Sequence, residues 1–185
     1  MKSKTLKALL VIMILLFAIP SVFAQSYKTY TDSSVLNNQT IYRNEKVWIV
    51  GVSSSFSMNR AIEKAIQNAF SSKGIKTIIS TDKIDISGME DSIFEKLTDY
   101  MNEEEFRYLL FCWVDDIYTY TYGDGIARME FSGTMYDMIS GSEIMIIQMS
   151  TEADKNDRLS FNATRDPALK SMAEALAALY VNNAR

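Results

Sequence analysis

Tyr108-Leu-Leu-Phe-Cys-Trp-Val114 is an unbroken apolar run near the middle of the chain. A strand with one face in water alternates polar and apolar residues, so an unbroken run predicts a strand that is covered on both faces. An alternating tail follows over 115–122. Gly123-Asp-Gly125 then predicts a turn into a second strand over 126–138, and Ser140-Gly141 predicts a turn into a third over 143–150. The run at 108–114 is therefore expected to be the central strand of a layered α/β domain.

The chain before this strand predicts an alternation of strands and helices. Residues 47–52 form a short apolar run typical of a buried strand, and a second short strand is expected over 75–80. Between them, apolar residues at helical spacing predict a helix with Ser57 as its N-cap and Gly74 as the left-handed residue after its end. The apolar face of this helix comprises Met58, Ile62, Ala65, Ile66, Ala69 and Phe70. A second helix is expected over 89–102.

A last helix is expected near the C-terminus. Asp166-Pro167 combines an N-cap residue with a proline in the first helical position, which is typical of a helix start. Its buried stripe comprises Leu169, Met172, Ala173, Leu176, Leu179 and Tyr180. Helices between strands favour parallel pairing, whereas the short turns that join the last three strands require antiparallel pairing. The expected fold is thus α/β, with a mixed parallel and antiparallel sheet of about five strands and three helices packed on it.

The chain divides into three segments. Residues 1–24 carry a basic start, an apolar run that ends at Pro20 and small residues before Gln25, a pattern that predicts a secretory signal peptide. Residues 25–45 are polar without a sustained period and are expected to form an extended arm, with a short edge strand at 40–42. Residues 46–185 have the length of a single α/β domain. The leader predicts a periplasmic or extracellular location, and no later apolar segment is long enough for an integral membrane span.

Composition excludes several functions. The net charge is −4 and the sequence shows no basic stripe, so a nucleic-acid partner is not expected. The absence of histidine excludes triads that use it and histidine-ligated zinc. The single cysteine, Cys112, cannot form an internal disulfide and lies in the apolar run, where a thiol is more often inert core than nucleophile. Asp115 and Asp116 are expected on opposite strand faces, which excludes an acid/base pair. No metal, cofactor or catalytic residue is predicted.

Tyr118, Tyr120 and Tyr122 are the candidate partner-binding residues. Alternation predicts that all three lie on one face of the strand tail. A three-residue turn at 123–125 would place Tyr120 opposite Arg128, which makes Arg128 the fourth candidate. Tyrosine combines a large contact area with a hydroxyl group, which suits protein or glycan surfaces. The alternative is that a helix or the N-terminal arm covers these rings.

Several short motifs together resemble one envelope-protein fold. They are Lys46-Val-Trp-Ile-Val50, Ala61-Ile62, Ala65-Ile66, Gly74-Ile75, the run at 108–114 and Gly133-Thr-Met-Tyr-Asp-Met-Ile-Ser-Gly141. The pattern covers most of residues 46–182 and resembles the domain shared by lipoprotein activators of penicillin-binding proteins, the periplasmic domain of the curli secretion channel and the N-terminal domain of TolB. Asp137, Ser140 and Gly141 match the Asp-x-x-Thr/Ser-Gly strand turn of that group. The resemblance implies a non-catalytic, partner-binding envelope domain, although the chain lacks the lipidated cysteine of the lipoprotein members.

Three functions are consistent with these patterns. The first is a secreted, non-enzymatic adaptor that binds a protein or glycan component of the cell envelope. The alternative is a small-ligand carrier or weak hydrolase with a pocket between the sheet and the helices. A third, a structural subunit that pairs through sheet edges, requires a long uncovered edge strand. The absence of a histidine triad, a metal set or a phosphate loop favours binding over catalysis.

Overall fold

The computed structural model describes residues 26–37, 40–83, 105–121, 123, 125–154 and 160–185. The predicted leader at 1–24 and the predicted helix at 89–102 lie outside these residues. Within them the chain forms six strands and two α-helices. In order these are β1 (Tyr27–Leu36), β2 (Val47–Val52), α1 (Phe56–Ser72), β3 (Thr77–Ile79), β4 (Tyr108–Thr119), β5 (Ile126–Asp137), β6 (Ser142–Ala153) and α2 (Phe161–Asn183), with a short 3-10 helix (Ser80–Asp82) after β3.

The strands form one mixed sheet in the order β1-β6-β5-β4-β2-β3. β2 pairs in parallel with both β3 and β4, whereas β4, β5, β6 and β1 pair antiparallel in succession. β4, which contains the apolar run, lies inside the sheet between β5 and β2. The predicted α/β class, the mixed sheet and the interior position of this strand are therefore confirmed.

Both faces of β4 carry buried side chains, as the unbroken apolar run predicts. On one face, Leu110 and Cys112 belong to the main core, which includes apolar residues of both helices. We call this side of the sheet the helix face and the opposite side the outer face. On the outer face, Leu109 and Phe111 are buried in a second cluster with Trp48 and Val50. Trp113, expected to be core, is only partly buried against this cluster.

The polar arm at 25–45 is the main correction to the predicted fold, because it contains the sixth strand. β1 pairs antiparallel with β6 along its length and lies at the edge of the sheet. Part of its inward face is polar: the Thr29 hydroxyl forms hydrogen bonds with Thr151 in β6 and Ser171 in α2, at 3.0 and 2.8 Å. Because Thr29 makes these inward contacts through its hydroxyl group, the sequence lacks the alternation of apolar residues that would have predicted this strand. The edge strand expected at 40–42 is reduced to a single bridge between Ile41 and Ala184.

Both helix starts differ from the prediction. The N-cap of α1 is Ser55 rather than Ser57, and the carbonyl of Ser55 accepts the first helical hydrogen bonds. At the other end, Gly74 has a φ of +76°, which confirms its predicted left-handed conformation. β3 is also shorter than expected, because residues after Ile79 turn into the 3-10 helix.

α2 begins at Phe161, earlier than the Asp166-Pro167 start that the sequence predicts, and Pro167 lies inside the helix. The reason is a contact from outside the helix: the Thr164 hydroxyl accepts a hydrogen bond from the backbone N–H of Ile126 at 2.9 Å. This tertiary bond holds the first turn in place, although the proline removes one internal hydrogen bond. The predicted stripe is otherwise confirmed, since five of its six residues are buried and Leu179 is partly buried.

Candidate functional site on the outer face

The outer face near the β4–β5 hairpin carries a row of polar residues that crosses four strands. Tyr118 in β4 pairs with Arg128 in β5, which pairs with Glu152 in β6, which pairs with Lys28 in β1. Paired residues project from the same face of a sheet, so these four side chains lie side by side. The Tyr118 side chain is 48% exposed. An aromatic ring and a guanidinium group are thus displayed together.

Arg128 is held in position by two carboxylates. Its Nη2 lies 3.1 Å from Oε1 of Glu130, and its Nη1 lies 3.3 Å from Oε1 of Glu152. These ion pairs are partly exposed and contribute little to stability. They do restrict the guanidinium beside the Tyr118 ring, which reduces the side-chain entropy that a binding partner would have to overcome.

A second row adjoins the first. Asp116 pairs with Glu130, Glu130 pairs with Ser150, and Ser150 pairs with Tyr30 at the sheet edge. The Tyr30 ring is 49% exposed. Carboxylates outnumber cations across the two rows, so the outer face presents aromatic rings on an acidic background.

A β-bulge in β4 corrects the prediction for the adjacent aspartates. The pairing with β5 shifts between Val114 and Asp116, so strict alternation is lost at this point. Asp115 accepts hydrogen bonds from Trp113 Nε1 at 2.8 Å and from the Ser132 hydroxyl at 2.6 Å. It therefore lies on the outer face together with Asp116. Each Asp115 oxygen already has a donor, which favours a role in fixing Trp113.

The three predicted tyrosines do not form a continuous stripe in the described part of the chain. A second register shift, between Tyr118 and Thr119, breaks the alternation, and Tyr120 donates its backbone N–H to the carbonyl of Gly125 at 3.1 Å. As a result Arg128 lies opposite Tyr118 rather than Tyr120. Tyr120 is half-buried and lies close enough to Tyr27 to influence its hydroxyl electrostatically. Tyr122 lies outside the described residues.

The strand-turn motif of the predicted resemblance has a clear structural role. Asp137 accepts hydrogen bonds from the backbone N–H of Ile139 at 2.9 Å and from Arg107 at 2.9 Å. Burial alone would raise the pKa of Asp137, but these hydrogen bonds outweigh it and lower the pKa. Gly141 adopts the φ of +66° that completes the turn. Arg107 also lies over the Tyr42 ring, 4.6 Å from its centroid.

Glu63 is a buried polar centre that the sequence pattern did not reveal. Its carboxylate accepts hydrogen bonds from the backbone N–H of Gly51 and of Thr81, both at 2.9 Å, and from the hydroxyls of Thr81 and Ser80. Burial raises the pKa of Glu63, although these donors partly oppose the shift. The contacts join α1 to the carboxyl ends of β2 and β3. Burial, with a smaller effect of the Glu63 charge, raises the pKa of the Cys112 thiol well above its ordinary value.

A cavity of about 700 Å³ lies between the two helices, on the side of the molecule opposite the outer face. Its floor contains Ala61, Ala65 and Leu169, and its rim contains Arg60, Lys64, Arg165 and Lys170. Arg60 and Lys64 both pair with Asp82, at 3.1 and 3.2 Å. This position differs from the pocket between sheet and helices that the carrier hypothesis expected.

The described part of the chain contains neither a cluster of metal-ligating side chains nor a membrane-spanning helix. Histidine, cysteine and carboxylate side chains do not come together there in groups of three that could hold a metal ion. Neither described helix is long and apolar enough to cross a membrane.

Comparisons with known proteins show a shared fold. No protein-family model and no curated protein matches the sequence. Among solved structures, the PelC dodecamer from Paraburkholderia phytofirmans is similar, with 15% identity, a TM-score of 0.50 and coverage of 87% of this chain and 99% of that one. The protein XCC0632 from Xanthomonas campestris, described as DUF330, has 10% identity, a TM-score of 0.51 and coverage of 80% and 91%. Identities this low establish a common α/β fold and nothing further, so the resemblance to penicillin-binding-protein activators stays a prediction.

Proposed function

We propose that this protein is a secreted, non-enzymatic envelope adaptor that binds a partner protein through the outer face around Tyr118 and Arg128. The observation that carries the proposal is the exposed Tyr118 ring directly opposite Arg128. Tyrosine and arginine are the residue types that most often dominate binding energy at protein interfaces. The predicted leader and the resemblance to envelope domains support the location.

The geometry of the outer face supports binding rather than packing within the chain. Arg128 is oriented by Glu130 and Glu152, and Tyr118 stands beside it with half of its surface open. An aromatic anchor next to a fixed cation gives both contact area and directional hydrogen bonding. The acidic surroundings favour a partner surface that carries lysine or arginine.

The alternative, a small-ligand carrier or weak hydrolase, would use the cavity between α1 and α2. Its alanine floor and basic rim fit a small anionic molecule with an apolar part. The rim cations already have carboxylate partners, however, since Arg165 pairs with Asp166 at 2.8 Å and Lys64 with Asp82 at 3.2 Å. The outer face therefore carries the stronger proposal.

The experiment is a pull-down from envelope extract with the wild type, Tyr118→Ser and Tyr42→Ser. Tyr42 is a matched control because its ring is 44% exposed and its backbone N–H contacts the hydroxyl of Tyr108, which starts β4, whereas Tyr118 lies near the end of that strand. We expect the wild type and Tyr42→Ser to capture the same protein, and Tyr118→Ser to lose it. Capture that survives protease digestion of the extract but not glycan digestion would identify a glycan partner instead. Equal capture by all three forms would contradict the proposal.

A further inference from the structure

Within the part of the chain that the structure describes, one edge of the β1 backbone has no strand partner. Among the described strands β1 pairs with β6 alone. The carbonyl of Ser26 accepts a hydrogen bond from the N–H of Asp154, so the backbone groups of Ser26 point toward β6. In an antiparallel strand, the backbone N–H and C=O groups of successive residues point alternately toward one neighbouring strand and toward the other. The backbone groups of Lys28 and Tyr30 therefore also point toward β6, and those of Thr29 and Thr31 point outward from the free edge. A long edge of this kind is the feature that pairing between subunits requires.

One end of this edge is already covered. The outward carbonyl of Tyr27 accepts a hydrogen bond from the Ser171 hydroxyl of α2 at 3.0 Å. The free part of the edge therefore begins at residue 28. It continues to a β-bulge, where the pairing with β6 shifts between Thr31 and Ser33. The accessible segment is Lys28-Thr-Tyr-Thr-Asp32.

This segment is complementary to itself in the antiparallel direction. If Tyr30 lies opposite Tyr30 of a second copy, Thr29 of each copy lies opposite Thr31 of the other. Lys28 of each copy then lies opposite Asp32 of the other, so that each of these pairs occurs twice. Thr29 and Thr31 are the residues whose backbone groups point outward, so they can exchange the hydrogen bonds. Tyr30 then occupies the non-hydrogen-bonded position, where facing side chains are closest. Geometry and charge therefore select the same register.

The exposed side chains of the segment fit this arrangement. The Tyr30 ring is 49% exposed, and it would gain an aromatic partner at the centre. A lysine on an edge strand, like a bulge, discourages pairing with arbitrary strands. In the register centred on Tyr30, each Lys28 lies opposite Asp32 of the other copy. The lysine that discourages pairing with other strands therefore favours pairing between identical copies. Lys28 currently pairs with Asp154 of its own chain at 3.2 Å, on the β6 side.

We propose that two copies of this chain pair antiparallel through their β1 edges, centred on Tyr30, to form one sheet that is continuous across both copies. The two-fold axis of such a pairing is perpendicular to the sheet. Both outer faces consequently lie on the same side of the dimer, with two Tyr118–Arg128 pairs available together.

The first test is a disulfide across the axis. The chain has one cysteine, Cys112, and it is buried, so an added surface thiol is easily distinguished. Facing residues at a non-hydrogen-bonded position have the spacing that a disulfide needs. In the exported full chain, Tyr30→Cys should give a covalent dimer under mild oxidation. Tyr118→Cys is the matched control, because this tyrosine is equally exposed on the same face but lies three strands from the edge. Equal cross-linking of both variants would overturn the proposal.

The second test reverses the charges. Sedimentation of the wild type should show a concentration-dependent dimer. Lys28→Asp and Asp32→Lys should each weaken dimerisation by about tenfold, because each variant places like charges opposite each other twice. The variant that carries both changes should dimerise with an affinity within about threefold of that of the wild type. A wild type that sediments as a monomer throughout, or single variants that dimerise like the wild type, would refute pairing centred on Tyr30.

Discussion

Tyr118 lies directly opposite Arg128 in the antiparallel pairing of β4 with β5. Two irregularities in the pairing of β4 with β5 produce this pair. The bulge between Val114 and Asp116 and the shift after Tyr118 move the hairpin out of simple alternation. The effect is to place one exposed ring beside an arginine that is held by two carboxylates. Bulges re-aim side chains in this way at many binding surfaces.

The two described tyrosines of the hairpin should respond differently to substitution. Tyr118→Ser should leave the melting temperature nearly unchanged, because its ring is half exposed and the core contacts belong to Ile117 on the other face. Tyr120→Ser should lower it by several degrees, because Tyr120 is half-buried near Tyr27. Thermal melts followed by circular dichroism would check both. A larger decrease in melting temperature for Tyr118→Ser than for Tyr120→Ser would show that Tyr118, rather than Tyr120, is the more buried ring.

Glu63→Ala should be among the most damaging single substitutions. It removes the acceptor of two backbone N–H groups and two hydroxyls, all of them buried. Unsatisfied buried donors cost about 1–3 kcal/mol each, so a loss of roughly 3 kcal/mol or more in the free energy of unfolding is expected. Urea denaturation would measure it. A loss below about 1 kcal/mol would mean that water or another acceptor replaces the carboxylate.

Glu63 should also give stability a specific pH dependence. Burial raises its pKa in the folded state above the unfolded value, so folding favours the protonated form. Its contribution is therefore complete below the unfolded pKa and decreases as the pH rises through the folded pKa. Denaturation of the wild type and Glu63→Gln, which does not titrate, should show that the wild type loses its relative advantage as the pH rises above about 4.5. A relative advantage that grows with pH would show that the folded pKa is lowered.

Gly51→Ala should loosen the contact between α1 and β2. A Cβ atom at this position would lie 2.6 Å from the backbone oxygen of Asn59, which cannot move without shifting the helix. The expected cost is roughly 1–3 kcal/mol. Gly133→Ala is the control, because its nearest contact is 3.3 Å, from the Phe111 oxygen, and it should cost less. Equal stabilities for the two variants would indicate that α1 adjusts freely.

Cys112 should resist thiol reagents in the folded protein. Its side chain is fully buried, and burial raises its pKa well above the ordinary value, so both access and thiolate formation are suppressed. Labelling with an aromatic disulfide reagent should proceed only after denaturant is added. Rapid reaction of the native wild type would show that the core around β4 opens readily.

The parts of the fold that could be predicted are those in which the pattern is local and apolar. The run that forms β4, the short strand Val47–Val52 and the stripe of α2 all follow from apolar spacing along a few turns or residues. β1 could not be predicted in this way, because Thr29 packs inward through hydroxyl contacts with Thr151 and Ser171. These partners are distant in sequence, and no periodic pattern in the sequence indicates that they contact Thr29.

The candidate site was predicted in part for the same reason. Tyr118 and Arg128 are both candidates from the sequence, but their pairing depends on bulges that alternation cannot anticipate. Glu63 was missed entirely, since a carboxylate beside a helical apolar face ordinarily indicates an exposed position. Its donors, at Gly51, Ser80 and Thr81, meet only when β2 and β3 end beside α1.

The affinity of the captured partner for a set of variants measures whether Tyr118 and Arg128 form its binding surface. Tyr118→Ser should weaken binding by about tenfold or more, because an exposed aromatic at the centre of an interface is worth on the order of 2 kcal/mol. Arg128→Gln should weaken binding comparably. The double variant should lose less binding free energy than the sum of the two single losses, because adjacent residues contact the same part of the partner. Tyr42→Ser should bind within about twofold of the wild type. A Tyr118→Ser, Arg128→Gln double variant that melts normally and keeps wild-type affinity would show that the partner does not bind through the outer face around Tyr118 and Arg128.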